Sequence, residues 1–166
     1  MGVASEDEPL QCTFDPNGPN FQVRGNMPLI IQNYCRASAQ TVPTTMGEIA
    51  RCVLESLSLK YRTGVEALEA LTGRDLQTIR VVGGGALNTV LSQMTADACN
   101  RRVVAGPVEA SSLGNVMLQA IATGHVQDIA AGRSMMNESV QVISYDPHPS
   151  AAWDKAYSRF QMLEAY

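Results

Sequence analysis

The feature that most constrains this chain is a run of three glycines between a short apolar segment and a predicted helix. Thr78–Val82 is apolar and β-branched, which predicts a buried strand, and VVGGGALNTVLSQMTADA continues from Val81 into a helix predicted over Asn88–Ala98. Glycine loses more conformational entropy on folding than any other residue, so three in succession indicate that something approaches the backbone closely. A strand, a glycine turn and a helix N-terminus together can bind a phosphate or a nucleotide.

Taken alone, the glycine run leaves two interpretations open. GGGALN is neither the G-x-G-x-x-G of a dinucleotide site nor a Walker loop, since no Lys-Ser or Lys-Thr pair follows, and a tight turn without a ligand explains the same residues. A second unit, VVAGPVEASSLGN over Val103–Asn115, again predicts a strand, a turn and a helix start. We expect the two units to bring Gly84 and Gly114 to neighbouring helix starts. Gly114 lies inside a predicted helix at a cost of about 1 kcal/mol, which indicates a close neighbour.

The remaining pattern predicts an α/β chain in which helices outnumber a few short strands. Residues 1–27 are rich in turn formers and are predicted to be an irregular arm or linker, and the domain is predicted to span 28–166. Four further helices are predicted: over 28–40, from a capping box at Thr45 and Glu48 to a stop at Gly73, from a cap at Ser111 or Ser112 to Gly124, and around Asp128–Met136. A second strand is predicted over Arg102–Ala105, and VQVISY is predicted to be extended. The chain is predicted to end in an amphipathic helix with Trp153, Tyr157, Phe160 and Leu163 on one face.

Composition excludes several classes of protein. The net charge is −4 without long charged blocks, which gives no support to a nucleic-acid surface, and no apolar run approaches the roughly 20 residues of a membrane span. We therefore expect a cytoplasmic protein. The four cysteines have no paired spacing and there are only two histidines, so we expect no metal site. Cys35 and Cys52 lie on successive predicted helices, where a disulfide and buried thiols are the alternatives, and a reducing cytoplasm favours thiols.

In these residues the chain resembles the C-terminal domain of the FGGY carbohydrate kinases. The shared pattern is a GGG-x-x-N loop, an Ala-Asp pair in the next helix and an E-x-x-x-L-G helix start, here at Glu109–Gly114. The variant GPVEAS…LGN, together with ARCVLESLSLKYR at Ala50–Arg62, is most similar to members that phosphorylate L-rhamnulose. The resemblance runs from about Asp15 to the C-terminus and is most specific over residues 47–124.

The resemblance implies the helix-rich part of the second domain of an actin-like ATPase fold, which is related to ribonuclease H. In such kinases ATP lies between two domains, and the glycine loop lines its pocket. Gly83, Gly84 and Gly85 would then approach ATP, with Gly84 as the direct contact, and Asn88 would contact or border the adenosine. The resemblance also implies Mg²⁺, whose ligands are not in this chain.

Several parts that the chemistry needs are not found in the sequence. Phosphoryl transfer requires a carboxylate base, Mg²⁺ and donors around the γ-phosphate. The family's D-x-G-[ST] phosphate loop does not occur here, and Asp97, Asp128 and Asp146 are outside the base's motif, so we assign no catalytic residue. Asp97 is expected on a solvated helix face, and Glu109 as a first-turn carboxylate favoured by the helix dipole. We expect a chain that is incomplete on its N-terminal side, lacks the N-terminal domain, is inactive alone and self-associates through an uncovered sheet edge or apolar face.

Three other functions compete with an L-rhamnulose kinase. Another FGGY kinase would act on xylulose, glycerol or a related polyol. A non-catalytic remnant of the actin fold would serve as a binding module. An unrelated nucleotide-binding domain, such as a methyltransferase, would need an acidic residue after the next strand to hold ribose, and RRVVAGP carries none.

Overall fold

A computed structural model describes residues 9–148 and 150–164 of the chain. Nine regular elements follow one another within these residues. They are α1 (Met27–Ala37), α2 (Met46–Thr72), β1 (Thr78–Val81), α3 (Thr89–Cys99), β2 (Arg102–Ala105), α4 (Ala110–Ala122), α5 (Ile129–Ser139), β3 (Ile143–Tyr145) and α6 (Ala151–Glu164), with short 3₁₀ turns at Pro19–Phe21 and Gly83–Leu87. The predicted helix-rich α/β class is confirmed. No helix within the described part of the chain has both the length and the apolar character needed to span a membrane.

The sheet has three strands in the order β1-β2-β3. β1 and β2 are parallel, with Thr78 opposite Arg102 and Val81 opposite Ala105, and α3 forms the crossover between them. β3 pairs antiparallel with β2, which leaves β1 at an edge. The carboxyl ends of β1 and β2 therefore meet on one side of the sheet, where each chain segment turns toward a helix.

The long helix α2 begins and ends where its sequence predicts. The Thr45 hydroxyl accepts a hydrogen bond from the Glu48 N–H at 3.1 Å, and the Glu48 carboxylate accepts one from the Thr45 N–H at 3.0 Å. This reciprocal pair is the capping box. The helix stops at Gly73, whose φ of +63° is a left-handed conformation that glycine adopts without strain.

The two faces of α2 have different surroundings. Its buried residues include Cys52, Glu55, Ser56 and Leu59. Apolar residues of its C-terminal half lie elsewhere, and Leu68 is 52% exposed. They line an apolar groove of about 690 Å³ between α2 and β1, whose walls include Tyr61, Val65, Leu68, Leu71, Ile79 and Val81. The groove is an uncovered apolar face of the described domain.

Helix α6 closes the main core against α2 and α3. Trp153, Tyr157 and Phe160 are buried together with Leu59 and Met94, which confirms the predicted apolar face of α6. Arg62 joins the same three helices. Its guanidinium donates to the Asp154 carboxylate at 2.8 Å and to the Ala98 carbonyl at 3.2 Å. It also lies 4.2 Å from the centre of the Tyr157 ring. These contacts stabilise the packing of the helices behind the sheet.

The described part of the predicted N-terminal arm packs into the core. Residues 9–18 form no helix or strand, yet Leu10 and Phe14 are buried against α2. Both carboxylate oxygens of Glu55 accept from the Leu10 N–H at 3.0 Å, and one of them also accepts from the Arg51 guanidinium at 3.1 Å. The Ser56 hydroxyl accepts a hydrogen bond from the Phe14 N–H at 3.0 Å. Side chains thus satisfy backbone groups that have no strand partner, so this segment is not a free linker. Residues 1–8 of the predicted arm lie outside the described residues.

The helices after β2 differ in detail from the prediction. Neither Ser111 nor Ser112 caps α4: the N-cap is Glu109, and its side chain makes no capping bond. The helix predicted around Asp128–Met136 is present as α5, and Asp128 caps it, because its carboxylate accepts the Ala131 N–H at 2.8 Å. The expected close neighbour of Gly114 is absent from the described residues, since an added Cβ would meet nothing within 4 Å.

All four cysteines are buried free thiols. The alternative of a disulfide between Cys35 and Cys52 is therefore not the arrangement in this structure. The S–H groups of Cys12 and Cys52 hydrogen-bond to Cys35 and lower the pKa of its thiol to about 4, while the same bond to Cys35 raises the pKa of Cys12 to about 12. Burial raises the pKa of Cys99 to about 12.

Candidate functional site

The candidate site is formed by two turns at the carboxyl ends of the parallel strands. The glycine turn, Gly83–Leu87, follows β1, and the Gly-Pro turn, residues 106–108, follows β2. The Gly83 N–H donates to the Pro107 carbonyl at 3.0 Å, and the Gly106 N–H donates to the Val81 carbonyl at 2.8 Å. Backbone hydrogen bonds therefore hold the two turns side by side, as the paired strand–turn–helix units predicted. Ligands of open parallel sheets bind in this position, beyond the carboxyl ends of the strands.

The three consecutive glycines have different roles in the turn. Gly83 has a φ of +77°, a left-handed conformation that strains other residues. Gly84 has no such φ, and a Cβ added there would meet no atom of the described residues within 4 Å. A Cβ at Gly85 would lie 3.8 Å from the Val81 side chain, which is an ordinary contact. Gly83 is therefore needed for the turn itself, whereas Gly84 borders open space.

Two helix N-termini adjoin the turns. Asn88 caps α3, because its side-chain oxygen accepts the Leu91 N–H at 3.0 Å. This capping was not anticipated, although an Asn directly before a helix is a strong signal for it. At α4 the N-cap Glu109 makes no side-chain capping bond, so N–H groups of the first turn have no such acceptor. A helix N-terminus carries a partial positive charge, which favours an anionic ligand.

The carboxylates that the sequence singled out are engaged in structural contacts. Asp97 does not lie on a solvated face: its carboxylate is 17% exposed and accepts from the His148 N–H and the Gln93 amide, both at 2.8 Å. Asp146 pairs with Arg102 at 2.8 Å, and this guanidinium holds the pKa of the carboxyl below its usual range. The hydrogen bond from the His148 N–H to Asp97 holds the chain after β3 against α3.

The residues of the site fit a nucleotide better than a magnesium ion. Backbone N–H groups, the positive ends of helices and the space beside Gly84 suit an anionic, bulky ligand. Mg²⁺ prefers carboxylate oxygens and water in octahedral geometry. Across residues 9–148 and 150–164, the only group of three or more potential metal-ligating side chains is made of cysteines and lies outside these turns. The site therefore offers no described magnesium centre.

The family model of the FGGY family of carbohydrate kinases, C-terminal domain, matches residues 3–123. The chain therefore belongs to the FGGY family of carbohydrate kinases and corresponds to their C-terminal domain. The predicted family is confirmed, and the match includes the glycine turn, the Gly-Pro turn and both adjoining helix starts. The match begins at residue 3, ahead of the boundary predicted at residue 28.

Individual relatives agree with this assignment. The chain is 42% identical over 158 residues to a rhamnulokinase of Bacteroides thetaiotaomicron, covering 95% of this chain and 33% of that protein. It is 44% identical over 152 residues to a rhamnulokinase of Enterococcus faecalis, covering 90% of this chain and 31% of that protein. The chain thus spans about a third of the length of these curated relatives.

Solved structures of sugar kinases share the fold. A xylulose kinase from Rhodospirillum rubrum superposes with a TM-score of 0.59 at 25% identity, over 75% of this chain and 25% of that chain. A ligand-bound xylulose kinase from Lactobacillus acidophilus gives a TM-score of 0.56 at 21% identity, over 73% of this chain and 24% of that chain. The predicted fold class, part of a domain of the actin-like kinases, is confirmed.

Proposed function

We propose that this chain is the ATP-binding part of a sugar kinase that transfers the γ-phosphate of ATP to a hydroxyl of L-rhamnulose. The observation that carries the proposal is the glycine turn at the carboxyl ends of β1 and β2, with open space at Gly84. Membership of the FGGY family supports sugar phosphorylation, and the rhamnulokinase relatives support the choice of sugar. We also propose a cytoplasmic location, supported by the use of ATP as a substrate.

The chain's own residues would hold the nucleotide. Gly83 keeps the turn in its left-handed conformation, Gly84 leaves volume for the ligand, and Gly85 continues the turn against Val81. Asn88 uses its side-chain oxygen to cap α3, which leaves its amide NH₂ group as the donor that can border the adenosine. Bound ATP supplies the transferable phosphoryl group. The helix N-termini at α3 and α4 favour its negative charge through the partial positive charge of their N–H groups.

The catalytic base, the sugar contacts and the Mg²⁺ ligands are proposed to lie in the remainder of the longer enzyme. The apolar groove supports the presence of further units in the longer enzyme, because Leu71 is 84% exposed and Leu68 is 52% exposed. Contiguous apolar surface of this kind is typical of a face that another unit covers. Helix α4 has no buried residue and supports the same conclusion. We propose that the N-terminal domain and the rest of this domain pack on these surfaces.

The test is a phosphorylation screen of the full-length product of the gene that encodes this chain. L-Rhamnulose, D-xylulose and glycerol are supplied with Mg·ATP, and ADP release and the phosphorylated sugar are measured. We expect the highest kcat/KM with L-rhamnulose. A preference for D-xylulose or glycerol would move the protein to another branch of the family. Transfer to none of the three would favour a non-catalytic binding module.

A further inference from the structure

A cluster of three cysteines lies outside the candidate nucleotide site. Cys12 belongs to the segment that packs along α2, Cys35 lies on α1 and Cys52 on α2, and their sulfur atoms all lie within 4.8 Å of one another. Their exposed fractions are 4%, 0% and 1%. Three elements that are distant in the sequence therefore converge through their thiols, and we call these residues the thiol cluster.

The separation of the sulfur atoms fits a shared metal ion. Metal–thiolate bonds are about 2.3 Å long, so three sulfurs arranged around one ion lie about 4.0 Å apart. A disulfide would require two of the sulfurs at about 2.05 Å and would leave the third thiol without a role. Thiolates are soft ligands that select ions such as Cu(I), and structural zinc requires a fourth ligand. The described residues supply three ligand atoms to the cluster.

The surroundings of the thiol cluster are suited to a buried charged site with access from solvent. Cys12 and Cys52 line a cavity of about 120 Å³ together with Arg51 and Glu55. Arg51 is 9% exposed, and its Nη1 donates to the Glu55 carboxylate at 3.1 Å, whereas its Nε is buried without a hydrogen-bond partner among the described residues. Buried donors of this type are rarely left unpaired, so the free Nε indicates that a further acceptor belongs beside the cavity. Thiolates bound to a monovalent ion carry a net negative charge and can act as such an acceptor.

We propose that Cys12, Cys35 and Cys52 bind one Cu(I) ion through three thiolates. The site shares no residue with the candidate nucleotide site. Binding releases the protons of those thiols that are not already ionised and changes no oxidation state. It would also fasten the segment around Cys12 to α1 and α2, because the ion joins all three elements.

The test is an anaerobic titration of the fully reduced chain with Cu(I) in the presence of a Cu(I) chelator of known affinity. We expect one ion per chain, with a thiolate-to-copper charge-transfer band in the ultraviolet. Cys12→Ser, Cys35→Ser and Cys52→Ser should each weaken binding at least tenfold. Cys99→Ser is the matched control, because Cys99 is also buried but lies outside the cluster, and it should bind like the wild type.

Two further measurements separate lost binding from lost folding. Cu(I) should raise the melting temperature of the wild type and of Cys99→Ser but not of Cys12→Ser, whose melting without metal is recorded first. X-ray absorption should show three sulfur neighbours of the bound ion. No uptake by the reduced wild type, equal uptake by the Cys12→Ser variant, or a disulfide within the cluster that re-forms in the presence of Cu(I) would overturn the proposal.

Discussion

Replacing Gly84 by valine separates a nucleotide site from a turn needed only for folding. A Cβ at Gly84 would meet nothing within 4 Å, and the residue's φ lies outside the left-handed region. The Gly84→Val side chain is therefore expected to fit the ligand-free chain without strain. Because that side chain would occupy the space assigned to ATP, we expect nucleotide binding to weaken while the fold is retained.

The expected magnitudes follow from this geometry. A glycine replaced at a compatible φ changes the free energy of unfolding by no more than about 1 kcal/mol. Exclusion of ATP from the occupied volume should weaken binding at least tenfold, or about 1.4 kcal/mol. Gly83→Val is the matched control, because its φ of +77° makes a β-branched residue cost about 1–3 kcal/mol of stability. The adjacent glycines should therefore differ mainly in stability.

Both quantities are measured on the same preparations. Thermal unfolding without ligand reports stability, and steady-state kinetics of the full-length gene product reports the KM for ATP and for the sugar. Gly84→Val should raise the KM for ATP at least tenfold and leave the sugar KM nearly unchanged. If Gly84→Val lowers stability but binds ATP normally, the nucleotide assignment of this turn is refuted.

Four further outcomes are expected. Asn88→Asp keeps the capping oxygen of α3, so it should retain the melting temperature and weaken ATP binding; equal ATP affinity would remove Asn88 from the site. Hydrogen bonds from the Leu76 N–H and then from Arg101 hold the pKa of Glu69 below its ordinary 4.5. The stability that ionised Glu69 contributes is therefore complete above pH 4.5 and is lost as the pH falls through the lowered pKa. Glu69→Gln should make the melting temperature depend less steeply on pH between pH 5 and 3, and an unchanged slope would contradict this. Phe160→Ala should cost about 3–5 kcal/mol of unfolding free energy in denaturant titrations, because Phe160 is fully buried, and a loss under 1 kcal/mol would be inconsistent with the core described. The chain alone should phosphorylate no ketose, and ATP-dependent product above a blank would show that it contains a base we have not identified.

Local sequence signals predicted much of the fold because they act over a few residues. The capping box at Thr45 and the stop at Gly73 mark the bounds of α2, and two short β-branched, apolar segments predicted β1 and β2. The same short-range pattern located the candidate site, since a glycine turn after a strand must lie at the strand's carboxyl end. It did not distinguish Gly83 from Gly84, because φ depends on the folded turn.

Contacts between distant parts of the chain were not predictable in this way. The burial of Leu10 and Phe14 depends on Glu55 and Ser56 accepting their backbone N–H groups, and no periodic pattern signals such an arrangement. The thiol cluster combines three cysteines that lack paired spacing, so only the packing of α1, α2 and the segment around Cys12 reveals it. The sequence favoured an uncovered sheet edge or apolar face, but it did not show that this face is formed by α2 together with β1.

The most direct measurement of the central claim is a titration of the isotopically labelled chain with Mg·ATP, followed residue by residue through its backbone amide resonances. We expect the largest shifts at Gly83, Gly84, Gly85 and Asn88 and in the first turn of α4, and we expect Gly84→Val to abolish them. The amides of Cys12, Cys35 and Cys52 should not respond to the nucleotide. Absence of shifts at the glycine turn, or a response centred on another surface, would contradict the claim that this turn binds ATP.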